Sequence, residues 1–246
     1  ADLASLGITS DDEVIRSSDR LGSYRKAIAG LTDAGLTYPC FCSRREIREA
    51  VAAPHDAGST DGYPGTCAGL DDHQRAEHLR SGRPPAVRLR AGAASVEVHD
   101  ELGGLITATV DDFVLQRGDG IPAYNLTVVV DDAAQGVDQV VRGADLFNTT
   151  PRQVLLARLL GVEVPRYIHV PLVSGVDGER LSKRHGAVTL DDLARAGVGP
   201  GRVLGMFARS LRMSHLGDEP TIQDICEHLD PTNIPRDPWI FGSASV

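Results

Sequence analysis

The sequence predicts an α/β protein: half of a doubly wound sheet, an inserted thiol-bearing module and a small helical C-terminal region. Three observations carry this. Residues 122–186 read as strand, helix, strand and loop in that order. Three of the four cysteines, Cys40, Cys42 and Cys67, lie close together among tight turns. Short helical patterns follow residue 186. Composition agrees, since 41% hydrophobic and 24% charged residues over 246 positions suffice for a sizeable core. A net charge of −9 excludes a global basic field, so a nucleic-acid partner would have to meet a local patch. No run reaches transmembrane length and no signal peptide opens the chain, which makes the cytoplasm the expected location.

Residues 1–37 read as helix, loop, helix. Tyr24, Ala27, Ile28 and Leu31 recur at helical spacing, Ser17, Ser18 or Asp19 is the expected N-cap, and Gly35 is the expected stop. Ala1 in place of Met, at what reads as a helix already under way, points to residues upstream.

A charged helix is expected over 44–51, then an excursion rich in Ala, Gly, Pro and Asp that returns at Gly62-Tyr63-Pro64-Gly65-Thr66-Cys67. Cys40, Cys42, Tyr63 and Cys67 offer three sulfurs and one phenol oxygen, and a reducing compartment favours metal ligation over disulfides. Zinc takes closed tetrahedral sites of largely sulfur ligands. His55 and His73 rival Tyr63 as fourth ligand, and generic chemistry favours a histidine; the alternative is three reduced cysteines in a small core. Cys226, in a C-terminal helical pattern, is expected to be packed.

A polar helix over 71–80 and strands over 86–90, 95–99 and 105–110 come next, with a hairpin-like turn at Gly118-Asp119-Gly120. The apolar run 126–130, entered by Tyr124-Asn125 and closed by Asp131-Asp132, is expected to be a buried parallel strand with ligands at its carboxyl end. A strand over 137–142 delivers Arg142, suited either to a bidentate carboxylate or to a salt bridge with Asp145 or Asp132. Thr149 or Thr150 is expected to cap a helix from Pro151 to Leu160 that Gly161 stops, and a strand follows at 167–172. In the stretch Gly178-Glu179-Arg180-Leu181-Ser182-Lys183-Arg184-His185-Gly186, two glycines bracket basic side chains around a hydroxyl. Such a loop can deliver charge-assisted hydrogen bonds to phosphate oxygens; the alternative is a solvated basic loop. Helices are expected over 189–195, 200–211 and 221–229, before a proline-broken tail.

Taken together, Tyr124-Asn125, Val130-Asp131-Asp132, Val141-Arg142-Gly143-Ala144-Asp145 and Thr150-Pro151-Arg152-Gln153 resemble the second catalytic half of class I glutamyl-tRNA synthetases. Arg180-Leu181-Ser182-Lys183-Arg184 is similar to their second signature, usually Lys-Met-Ser-Lys-Ser, and Asp112-Phe113-Val114-Leu115 fits the same order. Cys-x-Cys followed by Tyr63-x-x-x-Cys67 resembles the zinc site of the short paralogue family, the glutamyl-Q tRNA(Asp) synthetases. Lys183 also lies too near residue 246 to leave room for an anticodon-binding domain.

The resemblance implies a Rossmann-like class I catalytic domain without its N-terminal part. It divides the chain into 1–37 (remainder of the first Rossmann half), 38–120 (inserted zinc-containing subdomain), 121–175 (second half) and 176–246 (Ser-Lys loop and helical region). The activity it implies forms glutamyl-adenylate, without need of tRNA, from L-glutamate and ATP with Mg2+, then transfers glutamate to the queuosine base in the anticodon of tRNA(Asp), by a monomer. By the same resemblance Lys183 is catalytic and, with Arg180, Leu181, Ser182 and Arg184, binds ATP. Tyr124 and Arg142 bind glutamate, and Cys40, Cys42, Tyr63 and Cys67 hold one structural zinc. The first signature, His-Ile-Gly-His-like, is absent from residues 1–37. Two other expectations stay open on that account: a fragment of an ordinary glutamyl-tRNA synthetase, and a non-catalytic zinc-containing tRNA-binding module.

Overall fold

The computed structural model describes residues 2–52, 62–181 and 189–242. In chain order its elements are α1 (Asp2–Ser5), α2 (Leu21–Asp33), β1 (Thr37–Cys40), α3 (Arg44–Ala52), α4 (Asp72–Arg80), β2 (Ala86–Leu89), β3 (Ala94–Asp100), β4 (Gly104–Val110) and β5 (Val114–Gln116). There follow α5 (Tyr124–Gln135), β6 (Gln139–Gly143), α6 (Thr150–Leu160), β7 (Arg166–Val170), β8 (Val173–Ser174), α7 (Leu190–Arg195), α8 (Pro200–Ser210), α9 (Ile222–His228) and β9 (Trp239–Ile240).

The central sheet has the order β4-β3-β7-β6. β6 and β7 are parallel and joined through α6, and Arg142 lies opposite His169 in their register. β3 joins β7 in parallel at Asp100 opposite Tyr167, and pairs antiparallel with β4. An antiparallel sheet β1-β2-β5 carries the cysteine module. The main core lies under α2, α5 and α6, where Tyr24, Leu89, Leu115, Leu126, Val154 and Leu156 are almost fully buried. A second core joins Leu6 to Leu193, Leu204, Met206 and Ile225 of the C-terminal helices. Within it α8 runs so close to the following loop that a Cβ on Gly205 would lie 2.0 Å from the Asp218 carbonyl oxygen.

Residues 126–130 are not a strand. They sit inside helix α5, which Gly136 ends in the left-handed conformation at φ 69°. Leu126, Val129, Val130 and Ala133 recur at helical spacing, and Leu126 and Val129 fill the core between α2 and α6. Tertiary burial overrides the β-preference of three consecutive valines.

The expected caps also differ. Ser17, Ser18 and Asp19 form a 3-10 turn running straight into α2, and Arg20 at the N-cap makes no capping bond. The Arg20 and Tyr24 side chains reach instead to the Asp131 carboxylate on α5. Thr149 takes the N-cap position of α6 but makes no side-chain capping bond; both its hydroxyl and that of Thr150 donate to the Leu146 carbonyl, at 2.9 and 3.0 Å. Cys226 is exposed, and its neighbour Ile225 is the buried residue of α9.

Candidate active site and metal centre

The cysteine module begins where β1 runs into Cys40, continues through Phe41 to Cys42, and closes through a loop turned by Gly65 at φ 77°. The three sulfurs lie within 4.8 Å of one another. Cys42 Sγ is 3.5 Å from Cys67 Sγ, and the Tyr63 hydroxyl is 3.4 Å from Cys40 Sγ and 3.7 Å from Cys42 Sγ. A tetrahedral zinc with bonds of about 2.0–2.3 Å places its ligands about 3.5–3.8 Å apart, so the separations of 3.4, 3.5 and 3.7 Å fit that ion. His55 lies outside the described residues, and among those described His73 does not join the group.

The surroundings favour negative charge at Cys40. Burial pushes its thiol up, but hydrogen bonds from the Tyr63 hydroxyl and the Cys42 backbone, with Arg88 nearby, bring it below the ordinary value. Burial dominates at Cys42 and Tyr63, raising the Cys42 thiol to about 12 and lifting the Tyr63 phenol above its usual range. Arg88, itself buried, stacks 3.6 Å over the Tyr63 ring and donates to the Asp112 carbonyl at 2.8 Å. Asp111 ties the module to α6, accepting from the Tyr63 backbone N–H at 2.9 Å and from Arg152 Nε at 2.9 Å.

The second constellation sits at the carboxyl ends of parallel strands β6 and β7, where such sheets hold ligands. Arg142 makes neither of the salt bridges weighed from the sequence. Its Nε donates to His169 Nε2 at 3.0 Å, its Nη2 donates to Thr150 Oγ1 at 2.8 Å, and its guanidinium lies 5.1 Å from the Tyr167 ring centroid. Asp145 pairs with Arg180 instead. Burial, helped by Asp132 and Tyr124 and opposed by Arg142, pushes the Tyr167 hydroxyl up to about 12. Arg142 thus lies at this phenol, and Tyr124, delivered by α5 rather than by a strand, acts on it electrostatically. Tyr124 is 54% exposed, open to a ligand.

Of the basic loop, Arg180 and Leu181 are described. Ser182, Lys183 and Arg184 lie outside the described residues. The stem is tied down by Leu181 N–H donating to the Val173 carbonyl at 2.9 Å and by the Arg180–Asp145 pair, three residues beyond Arg142. The described end of the loop, Arg180 and Leu181, is thus held beside the end of β6.

Sequence reasoning missed Asp100, Thr150, Tyr167 and His169 as members of this site. His169 carried the available signal, as an ionisable group in an otherwise apolar strand whose burial demands polar partners.

A family model described as the catalytic domain of class I tRNA synthetases (E and Q) matches residues 1–233. A protein of Nocardia farcinica named glutamyl-Q tRNA(Asp) synthetase is 53% identical over 98% of this chain and 76% of its own length. A protein of the same name from Cutibacterium acnes is 49% identical over 95% of this chain, which spans 65% of that relative. Among solved structures, a glutamate tRNA ligase from Elizabethkingia meningosepticum in complex with its amino acid superposes with a TM-score of 0.78. The glutamate-tRNA synthetase of Elizabethkingia anophelis superposes with 0.80. Each is 18% identical and aligned over 99% of this chain, which covers 56% and 57% of them, a likeness of fold. Sequence identity, family model and fold agree: the chain belongs to the class I tRNA synthetases (E and Q) and, within them, to the glutamyl-Q tRNA(Asp) synthetase family.

Proposed function

We propose that the chain is the catalytic part of an enzyme that activates L-glutamate with ATP and moves the glutamyl group to the queuosine base in the anticodon of tRNA(Asp). The observation that carries this reading is the 53% identity, over 98% of the chain, to a relative named for that activity. The site supplies a compatible chemistry. Arg142 has no carboxylate within ion-pair distance among the described residues, so its charge is available to a substrate carboxylate, and the exposed Tyr124 would join it in binding glutamate.

In the first step a glutamate carboxylate oxygen attacks the α-phosphorus of ATP, which enters with Mg2+, and the bond to the leaving pyrophosphate breaks. Lys183, in the stretch Arg180-Leu181-Ser182-Lys183-Arg184, would follow the charge that develops on the phosphates. Cys40, Cys42, Tyr63 and Cys67 would hold one zinc, which supplies a structural crosslink and no step of the reaction. No helix among the described residues is long and apolar enough to cross a membrane.

The test is the destination of the label. The intact gene product is incubated with labelled glutamate, ATP and queuosine-containing tRNA(Asp), and the tRNA is cut by nuclease. Label in the anticodon fragment is expected. Label at the 3′ end would assign an ordinary glutamyl-tRNA synthetase, and tRNA binding without adenylate would assign a non-catalytic module.

A further inference from the structure

Arg142 is held in an uncommon way. Its side-on edge, Nε and Nη2, is occupied by two uncharged acceptors, His169 Nε2 at 3.0 Å and Thr150 Oγ1 at 2.8 Å. Its flat face lies against Tyr167. The end-on edge, Nη1 and the second Nη2 hydrogen, has no partner among the described residues. A carboxylate on the side-on edge would fix the guanidinium equally well, but it would also neutralise the charge and compete with an incoming anion.

An imidazole can accept at Nε2 only if its proton resides on Nδ1. His169 Nδ1 lies 2.7 Å from Asp100 Oδ2, a carboxylate that can only accept, so the proton is held there. An imidazolium would set an N–H against the Arg142 N–H, two donors 3.0 Å apart. Asp100 cannot turn away, because it also accepts backbone N–H groups from Leu102 at 3.1 Å, Gly103 at 2.6 Å and His169 at 3.0 Å. Thr150 donates its own proton to the Leu146 carbonyl at 3.0 Å, which leaves lone pairs for Arg142; its Oγ1 also lies 3.1 Å from His169 Nε2, so with the imidazole proton on Nδ1 both atoms turn lone pairs to the guanidinium between them. Asp100 and Thr150 are 1% and 0% exposed and His169 is 5% exposed, so the chain of bonds is shielded from water.

We propose that Asp100 and Thr150 are positioning residues for substrate recognition. Asp100 acts through the His169 tautomer and Thr150 acts directly, and together they aim the end-on edge of Arg142 at a substrate carboxylate without neutralising it. This rests on the reading of Arg142 as a glutamate ligand, and its test is arranged to separate the two.

Glutamate-dependent pyrophosphate exchange is measured with the intact gene product and with Asp100→Asn, Thr150→Val, Thr150→Ser and Arg142→Ala variants. An amide at position 100 donates to Nδ1 and drives the imidazole proton to Nε2, while valine removes the hydroxyl at nearly constant shape. Both are expected to raise the KM for glutamate about 10- to 100-fold. The KM for ATP is expected to stay unchanged, and Thr150→Ser to recover most of the loss. A merely structural role would lower the active fraction and leave the glutamate KM where it was. If Asp100→Asn does not fold, Thr150→Val against Thr150→Ser decides alone. A raised glutamate KM in Arg142→Ala beside an unchanged KM in Thr150→Val overturns the positioning role. An unchanged KM in Arg142→Ala overturns the assignment of Arg142 itself.

Discussion

Replacing Tyr63 by phenylalanine isolates the least usual donor of the proposed zinc centre. The substitution keeps the ring under Arg88, which stacks 3.6 Å from its centroid, and removes only the hydroxyl. That oxygen lies 3.4 Å from Cys40 Sγ and 3.7 Å from Cys42 Sγ, and it accepts the Cys67 backbone N–H at 2.9 Å. Structural zinc contributes about 10–16 kcal/mol through four ligands, so one ligand carries about 2.5–4 kcal/mol, roughly a hundred- to thousand-fold in affinity. The orphaned Cys67 N–H adds about 1–3 kcal/mol to the cost even without metal. The assay is competition for zinc with a chromogenic chelator, alongside elemental analysis of the purified proteins. The expected result is one zinc per wild-type chain and a weakening of that order in Tyr63→Phe. Equal zinc affinity in the two proteins would refute the phenol as a ligand, and zinc lost from a His55 or His73 variant would then name its replacement.

Three further outcomes are expected. Gly205→Ala should destabilise the C-terminal core, because the helix-propensity gain of about 1 kcal/mol is outweighed by a methyl 2.0 Å from the Asp218 oxygen; calorimetry would show a lowered Tm. Asp111→Ala should loosen the cysteine module by cutting the tie between Tyr63 N–H and Arg152, a loss of about 1–3 kcal/mol. It should appear as faster amide exchange at 62–67, with the β6–β7 pairing unchanged. Burial works against the Asp100 carboxylate, but the Gly103 backbone and His169 more than offset it and hold its pKa below the ordinary carboxylate range. A group depressed in the folded state contributes fully above its unfolded pKa, about 3.9, and loses that contribution as the pH falls through the folded value. The stability gap between wild type and Asp100→Asn, read by urea unfolding, should therefore shrink only below about pH 4.

The elements set by local chemistry could be read from the chain. Gly35 and Gly161 take the left-handed conformations their helix stops require, and the alternation over 95–99 and 105–110 becomes the β3–β4 pair. Cys40, Cys42, Tyr63 and Cys67 do converge, because turns and a short strand deliver them. Where apolar density hides the period, reading failed. Three consecutive valines in α5 suggest a strand, and the helical spacing from Leu126 to Ala133 emerges only against the packing of α2 and α6. One residue of helical register likewise puts Ile225 rather than Cys226 inside. The bonds that set Arg142 join residues 69 positions apart, as His169 to Asp100, and no local pattern announces them. A long-range partner also drew Ser17 away from the capping role that its position suggested, its hydroxyl donating to the Asp131 carboxylate at 3.4 Å.

We propose that this chain, as part of the intact enzyme, activates glutamate without help from tRNA. The measurement that meets it most directly is glutamate-dependent exchange of labelled pyrophosphate into ATP by the intact gene product, with tRNA omitted. The account predicts exchange with glutamate, and its loss in Lys183→Ala. Exchange that appears only when tRNA is added would contradict it and place the chain with the ordinary glutamyl-tRNA synthetases.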